Sequence, residues 1–209
     1  MRSVAVGLLL LTCSTVIYGQ KLERPKELEV GDKVTYKWVR NSKPSTLEQE
    51  VTSVTDTQVQ GVERFNGNEI EFAVTKSPLL LTKALSIASG VPCTYDPGAE
   101  LLQFPLEKGK KWANKFSIKG PDFSAQVEGE RVVEGVEKVK VPAGEFEAYR
   151  VGYTSRYRGS TSKGFAFNGK DDSTIWYAIS NGKLVAVKQE YKNSGGEKST
   201  RELTAISYK

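Results

Sequence analysis

The stretch VPAGEFEAYRV, residues 141–151, contains the two features that decide the fold of this chain. The first is the Pro-Ala-Gly segment at its start. Pro142 fixes its own φ, and Gly144 can adopt the backbone conformations that a tight turn requires. A short segment of this kind between valines predicts a corner between two strands rather than a piece of catalytic machinery.

The second feature is a change of apolar face within the strand that follows the corner. Phe146 and Ala148 are apolar on one face, and then Tyr149 and Val151 are apolar on the other. Because side chains alternate with a period of two, the apolar face has slipped by one residue. The slip predicts either a β-bulge near Ala148 and Tyr149 or a strand buried on both faces at its middle. Both interpretations imply a strongly curved sheet.

The rest of the chain repeats a rhythm of short strands and turns. KVTYKWV, residues 33–39, alternates apolar and polar side chains as a half-buried strand does. Asn66-Gly67 and Asn181-Gly182 each predict a hairpin, since both central residues of a type I′ turn need positive φ. The final run RELTAISYK, residues 201–209, can close the sheet. The pattern predicts a mainly β fold with one antiparallel, strongly curved sheet, either a half-barrel or an open barrel.

In two segments the sequence pattern allows more than one structure. Residues 78–89 predict at most one short helix, although their apolar run also fits a buried strand followed by a loop. Residues 159–173, rich in Gly, Ser, Asn and Asp, predict an exposed loop or an irregular hairpin end. We expect residues 20–209 to form a single β-rich domain, with a front meander at 30–94 and a back half at 99–209.

The first nineteen residues have the layout of a secretory signal peptide. A cation at Arg2 precedes a short apolar run, and the small residue Gly19 supplies a cleavage position. Cys13 offers a less favoured alternative, lipidation of a bacterial lipoprotein box. No later stretch has the roughly 20 apolar residues of a transmembrane helix, so the mature chain contains no such segment. We expect an exported protein, either periplasmic or extracellular, with a lipid tether at Cys13 as the weaker option.

The charged residues and the remaining cysteine limit the kinds of partner that this protein is expected to bind. The formal net charge is +5, with Lys and Arg spread among nearly as many acids. A nucleic-acid groove would need a basic stripe interleaved with aromatic residues, so no nucleic-acid partner is expected. Cys93 is interpreted as a small buried residue in preference to a reactive thiol or an intermolecular disulfide.

The absence of histidine excludes several chemistries. Without imidazole there is no Ser-His-Asp or Cys-His nucleophile system, no His-ligated zinc and no His general base. One cysteine after the signal peptide leaves no thiolate metal site or dithiol redox motif. No Gly-rich phosphate loop occurs. We therefore expect a protein that is not an enzyme and needs no cofactor or metal.

The remaining catalytic candidates are weak. Ser160 and Lys163 match a Ser-x-x-Lys spacing, but they lie in a Gly/Ser segment without the companion motifs of that chemistry. Several carboxylates occur in pairs that could serve glycoside hydrolysis or calcium. In half-exposed strands such pairs are usually the solvated face. The pairs are Glu128 with Glu130, Glu145 with Glu147, and Asp171 with Asp172.

Four aromatic residues are the candidate binding residues. Trp38, Trp112, Trp176 and Tyr177 all lie on or beside predicted strands. Aromatic side chains in such places most often fill the core of a sheet protein. The functional alternative is that they line a concave apolar pocket inside a curved sheet.

Four segments carry a resemblance to a known class of proteins. They are LLQFPLEKGKKW (101–112), VEKVKVPAGEFEAYRV (136–151), TIWYA (174–178) and GKLVAVKQEY (182–191). Together they resemble uncharacterised exported β-rich envelope proteins of Gram-negative bacteria. The resemblance implies a periplasmic or envelope location and an antiparallel half-barrel similar in outline to lipoprotein-carrier folds. It implies no catalytic residues, because the matching positions are turns, a corner and core aromatic residues.

Two main functional hypotheses follow, and a hydrolase that uses carboxylates is a third. The first is a non-catalytic periplasmic or secreted binding protein that holds an apolar, lipid-like ligand or a partner segment on a concave sheet face. The alternative is a structural or interaction protein of the cell envelope or extracellular matrix with a fully packed core. An apolar ligand or an envelope protein is the expected partner, and the oligomeric state stays open.

Overall fold

The chain folds into a closed antiparallel barrel of twelve strands. The structure is a computed structural model, and it describes residues 21–209. Neighbours in sequence are neighbours in the barrel, and β1 (Lys33–Arg40) pairs with both β2 (Lys43–Val54) and β12 (Lys198–Ser207). The expectation of a half-barrel or open barrel was therefore wrong. The last strand pairs with the first, so the sheet keeps no free edge where a half-barrel would have two.

The other strands follow in a simple up-and-down order, with each hairpin leading to the next. Their bounds are β3 Gln58–Phe65, β4 Asn68–Thr75, β5 Leu79–Leu85, β6 Pro92–Leu102, β7 Lys111–Lys119, β8 Phe123–Val141, β9 Gly144–Thr161, β10 Ala166–Ser180 and β11 Lys183–Asn193.

The predicted corner is confirmed at residues 141–144. Pro142 and Ala143 form the two-residue turn between β8 and β9. Gly144 has a φ of +138°, a conformation that L side chains rarely adopt. The corner thus joins the two longest strands of the barrel, of 19 and 18 residues.

The slip of the apolar face arises from burial on both sides of β9. Ala148 and its neighbour Tyr149 are 0% and 8% exposed, and each belongs to a different apolar cluster. The register of β9 against β10 runs through both residues without a shift. The bulge lies instead on the partner strand β8, between Val133 and Gly135. Of the two interpretations, the strand buried on both faces is the correct one.

The double burial occurs where the β8–β9 hairpin packs beside the short ladder between β11 and β12. β11 and β12 pair only through residues 188–192 and 198–202. Beyond that ladder the tip of the β8–β9 hairpin contacts β12, where the backbone N–H of Ala143 donates to the carbonyl oxygen of Leu203 at 3.0 Å. One apolar cluster joins the hairpin to the β10, β11 and β12 strands; it includes Val139, Val141, Ala148, Trp176, Ala178, Val185, Val187 and Leu203.

The other turn signals behave as predicted. Asn66 and Gly67 have φ of 51° and 78°, and Asn181 and Gly182 have φ of 51° and 77°. These positive angles match the type I′ hairpins that Asn-Gly favours. The C-terminal run forms β12 and closes the sheet against β1.

The two segments for which the sequence pattern allowed alternatives, residues 78–89 and 159–173, consist mainly of strands. Residues 79–85 form β5, and a short turn region follows, so the helix expected near 78–89 is replaced by the buried strand and loop that its apolar run also allowed. Most of residues 159–173 extends β9 and β10, and only residues 162–165 form the turn between them. For this segment the prediction of a hairpin end was correct, and the prediction of an exposed loop was wrong.

A side chain completes the weak junction between β6 and β7. These strands pair through only three residues each, 94–96 and 117–119. Further along, the Asn114 amide accepts from the backbone N–H of Glu100 and donates to its carbonyl oxygen, both at 3.0 Å. A buried asparagine therefore stands in for ladder hydrogen bonds and keeps the wall continuous.

Candidate functional site: a cavity inside the barrel

The barrel encloses a cavity of about 680 Å³. Small-molecule sites in proteins range from about 300 to 1,000 Å³, so this space can hold a ligand of appreciable size. Its lining draws on residues from every strand of the barrel. The cavity is therefore a property of the whole closed sheet and not of one loop.

Strand number and small inward side chains together keep the interior hollow. Eight strands enclose a space that side chains just fill, and a barrel widens with each added strand. Several inward positions carry small residues, which leave the widened centre unfilled. They are Ala84, Ala99, Ala125, Ser155 and Ser173.

Most of the cavity wall is apolar. Tyr95 and Phe116 pack ring to ring, with centroids 5.7 Å apart. At the end where β8 begins, Phe167 contacts both Phe123 and Tyr157, each at 6.2 Å between centroids. Aliphatic lining residues continue the surface between these aromatic groups; they include Val74, Leu81, Ile118 and Val127. Such a wall suits an apolar chain or ring.

Two arginines project into this apolar space. Arg131 is only 5% exposed, and its guanidinium carbon lies 4.3 Å from the centroid of the Tyr153 ring. Arg201 stacks near Tyr36 and Trp38, at 5.5 and 5.3 Å. Within residues 21–209, neither arginine forms an ion pair with a carboxylate. Both guanidiniums are thus held by aromatic faces rather than by acids.

The buried acid Glu63 is already engaged by neutral donors. Its side chain is almost fully buried, and it accepts from the Gln49 amide and from the backbone N–H of Leu85, both at 2.6 Å. These bonds fix the carboxylate to the barrel wall. It therefore does not serve as a counterion to either arginine.

Buried tyrosines supply neutral hydroxyl groups to the lining. Burial raises the pKa of Tyr36, Tyr95 and Tyr177 above the ordinary value of 10. These phenols stay protonated at physiological pH and can donate or accept hydrogen bonds. They add polar contacts to the cavity without adding charge.

Asp171 is another of the four acids in the lining, which also include Asp32 and Glu197. The hydroxyl of Tyr191 donates to its Oδ1 atom at 2.8 Å. Burial raises the pKa of Asp171 to about 6, although the Tyr191 hydrogen bond opposes the shift. The side chain therefore changes charge just below neutral pH, inside the cavity.

Asp171→Asn is expected to stabilise the barrel by about 1–3 kcal/mol at pH 7 and to have little effect near pH 4. Aspartate ordinarily titrates near 3.8, whereas Asp171 titrates near 6 in the fold, so the folded state holds a proton that the unfolded chain releases. The associated stabilisation is complete below about pH 4 and is lost as the pH rises through 6. Urea unfolding at several pH values measures this difference.

The matched control is Asp172→Asn on the adjacent, half-exposed residue, which lies 3.7 Å from Lys192. It is expected to change stability by less than about 0.5 kcal/mol at every pH. A difference between wild type and Asp171→Asn that did not vary with pH would contradict the assignment.

The structure places the four predicted binding residues in different environments. Tyr177 lines the cavity, and Trp38, Trp112 and Trp176 do not. Trp38 is fully buried against Phe65, with ring centroids 4.7 Å apart. A role of the tryptophans in binding stays a prediction.

Trp112 and Trp176 occupy different packed clusters. Trp112 packs in the cluster that also contains Tyr177, next to the cavity. Trp176 belongs to the cluster around the β8–β9 hairpin tip, where its indole N–H donates to Glu137 and Lys188 lies 4.9 Å from its ring. Both clusters also contain residues that line the cavity, Tyr177 in the first and Val185 in the second.

Among the weaker candidates, Asp171 lines the cavity, whereas Glu128, Glu130 and Cys93 do not. Glu128 and Glu130 form surface ion pairs with Lys115 and Lys111, which matches their interpretation as a solvated face. Cys93 is buried and free, and burial raises the pKa of its thiol to about 11. A thiol of that kind is a packing group and a poor nucleophile at neutral pH.

The sequence interpretation missed Arg131, Arg201 and Glu63. A signal for Arg131 exists in β8, because it shares a strand phase with the apolar residues Ala125, Val127 and Val133. A lone cation on an otherwise apolar face of a strand indicates a charge directed into the interior. Arg201 shows no comparable pattern, because polar residues flank it on both sides. Around Glu63 both strand faces carry apolar residues, Val62 on one and Phe65 on the other, so the inward face cannot be identified from the pattern.

Comparison with known proteins shows which solved structures have a similar fold. No protein-family model matches the chain, and no curated protein matches it. Among solved structures, a proposed exported protein with a YmcC-like fold from Bacteroides fragilis aligns with a TM-score of 0.57 at 14% identity, over 90% of this chain and 100% of that one. A proposed lipoprotein from Parabacteroides distasonis aligns with a TM-score of 0.56 at 14% identity, over the same shares. The chain has the fold of these proteins.

The regular elements of residues 21–209 are strands. None of these residues forms a helix long and apolar enough to cross a membrane. The predicted signal peptide, the cleavage position after Gly19 and the Cys13 alternative lie outside the described residues.

Proposed function

We propose that this chain is a non-catalytic binding protein of the cell envelope that holds an apolar, lipid-like ligand inside its barrel. The observation that carries the proposal is the cavity of about 680 Å³ with largely apolar walls. Burying apolar surface of a ligand there would be favourable by roughly 25 cal/mol per Å² removed from water. The site differs from the predicted concave sheet face in being enclosed by all twelve strands.

An exported, periplasmic or envelope location is part of the proposal. The N-terminal segment has the pattern of a secretory signal peptide. The solved structures with a similar fold carry the descriptions of an exported protein and a lipoprotein. Membership in the class of exported β-rich envelope proteins, suggested by the four sequence segments, belongs to the same proposal.

Binding without catalysis fits the groups that the cavity offers. The chain contains no histidine, and the acids Glu63 and Asp171 are each held by hydrogen bonds to the wall. Neither lies within ion-pairing distance of Arg131 or Arg201, so no carboxylate–guanidinium pair is assembled in the cavity from these groups. The alternative of a structural protein required a filled interior, and the cavity argues against it.

Native mass spectrometry of protein purified without detergent tests this function. We expect a population heavier than the mature chain by the mass of one lipid-like molecule, which organic extraction releases. The control is the same protein unfolded in guanidinium and refolded without lipid, which should show only the mass of the chain. The proposal fails if the purified protein, even after incubation with a total bacterial lipid extract, carries no added mass.

A further inference from the structure

We propose that the ligand is an amphiphile with a carboxylate head, and that Arg131 binds this head inside the barrel. The inference rests on the proposed binding function and names the class of ligand. It starts from a charge that the fold leaves without a counterion. Arg131 lies in the middle of β8, points into the cavity and is about nineteen-twentieths buried.

The guanidinium of Arg131 has unused hydrogen-bond donors. Its Nε and Nη1 atoms are buried and have no hydrogen-bond partner within residues 21–209. Its described contact is the face of the Tyr153 ring, which attracts a cation but accepts no strong hydrogen bond. A buried charge without a hydrogen-bonded partner is unfavourable, so an anion supplied by a ligand would complete the site.

The acids around the cavity cannot take this role in the present arrangement. Glu63 is bound to Gln49 and to the backbone of Leu85, and Asp171 is bound to Tyr191. The other two lining acids are also engaged, Asp32 by Lys183 and Glu197 by the Asn193 amide. None of the four acids forms an ion pair with Arg131 or Arg201. Arg201 adds a further positive charge to the lining, and its Nε atom is likewise buried and has no hydrogen-bond partner within residues 21–209.

The chemistry of arginine and of the walls selects the ligand class. A guanidinium presents parallel N–H groups that match the two oxygens of a carboxylate. Next to Arg131 on the same strand face, Val127 and Ala125 continue toward Phe116 and Ile118 of β7. A carboxylate at Arg131 would therefore direct an attached alkyl chain along an apolar wall.

Calorimetric titration with dodecanoate and with its methyl ester tests the inference. The two ligands share a chain, and only the acid carries the charge. Wild-type protein is expected to bind dodecanoate at least about tenfold more tightly than the ester, since a hydrogen bond to a charged group contributes roughly 1.5–3 kcal/mol. Arg131→Met should lower the affinity for dodecanoate by about tenfold or more and leave the affinity for the ester within about twofold.

Two further variants distinguish an effect of the Arg131 guanidinium on binding from an effect of the substitution on folding. Arg156→Met removes an exposed arginine of β9 that does not line the cavity, and it should leave both affinities unchanged. Arg131→Lys keeps the charge but lacks the planar fork, so it should bind dodecanoate with an affinity between those of the wild type and Arg131→Met. Thermal melts of each variant show whether the barrel is intact; the wild-type comparison of acid and ester needs no variant.

The outcomes distinguish this inference from the function on which it rests. Equal affinity of the wild type for acid and ester would overturn the carboxylate site and leave the apolar binding function standing. Binding of neither ligand would count against the binding function itself. Tighter binding of dodecyl phosphate than of dodecanoate would also overturn the carboxylate assignment, because the head group would then be a phosphate.

Discussion

Replacing Lys183 with methionine is expected to lower the free energy of unfolding by about 3–5 kcal/mol, because it leaves a buried carboxylate without its counterion. The Lys183 ammonium donates to both oxygens of Asp32, at 3.0 and 2.8 Å. Their side chains are only 4% and 3% exposed. The variant would keep the shape of the lysine stem and remove only its charge and its hydrogen bonds.

The pair links the start of β1 to β11, which lies two strands away around the barrel. Asp32 immediately precedes β1, and Lys183 is the first residue of β11. Burial by itself would raise the pKa of Asp32, but hydrogen bonds from Lys183 and from the backbone N–H groups of Glu29 and Lys209 lower it below its ordinary value. The stabilisation from this carboxylate is present above its unfolded pKa and is lost as the pH falls through the folded pKa.

Urea unfolding of a double-mutant cycle measures the effect. Asp32→Asn combined with Lys183→Met should cost less than Lys183→Met alone, since the uncompensated charge is gone. Lys115→Met is the surface control, because Lys115 and Glu128 form an ion pair 2.7 Å apart with both side chains more than half exposed, and it should cost less than about 0.5 kcal/mol. A loss from Lys183→Met as small as that of the control would contradict the account.

Ala125→Trp is expected to weaken binding of a neutral apolar probe by at least about 100-fold, equivalent to roughly 2.7 kcal/mol. Ala125 is one of the small residues that keep the cavity open, and its side chain faces the interior from β8. An indole at that position would occupy the space that the ligand needs. Because the new side chain enters a void, the cost in stability should stay within about 1–3 kcal/mol.

A tryptophan on the outside of the same wall is the matched control. Ala113 lies on β7, is exposed and pairs with Glu130 of β8. Ala113→Trp should leave the affinity for N-phenyl-1-naphthylamine, a neutral fluorescent probe, unchanged. Ala99→Phe is a second inward variant, useful where Ala125→Trp destabilises the barrel. Equal binding by inward and outward variants would show that the probe does not enter the cavity.

The local parts of the fold were predictable from the sequence, because they depend on local chemistry. The Asn-Gly hairpins follow from the positive φ that two central residues need, and the corner at residues 141–144 follows from proline and glycine. Closure of the barrel depends on pairing between β1 and β12, which are separated by most of the chain. No local pattern distinguishes a strand that closes a barrel from one at an open edge.

The candidate site was less predictable than the fold. Aromatic residues were a reasonable first choice, but the tryptophans lie in packed clusters, and only Tyr177 of the four lines the cavity. The features that shape the cavity are small residues such as Ala125, which carry no chemical signal in a sequence. Arg131 could have been found from its strand phase, whereas the bulge on β8 that bends the wall near it could not.

The central claim is that the interior of the barrel is a preformed site for an apolar ligand, and fluorescence titration of the wild-type protein with N-phenyl-1-naphthylamine tests it most directly. We predict saturable binding of one probe per chain, with the blue-shifted emission of a buried apolar site. A wild-type protein that is folded by circular dichroism and free of endogenous lipid, yet causes no change in probe emission at any concentration, would contradict the claim.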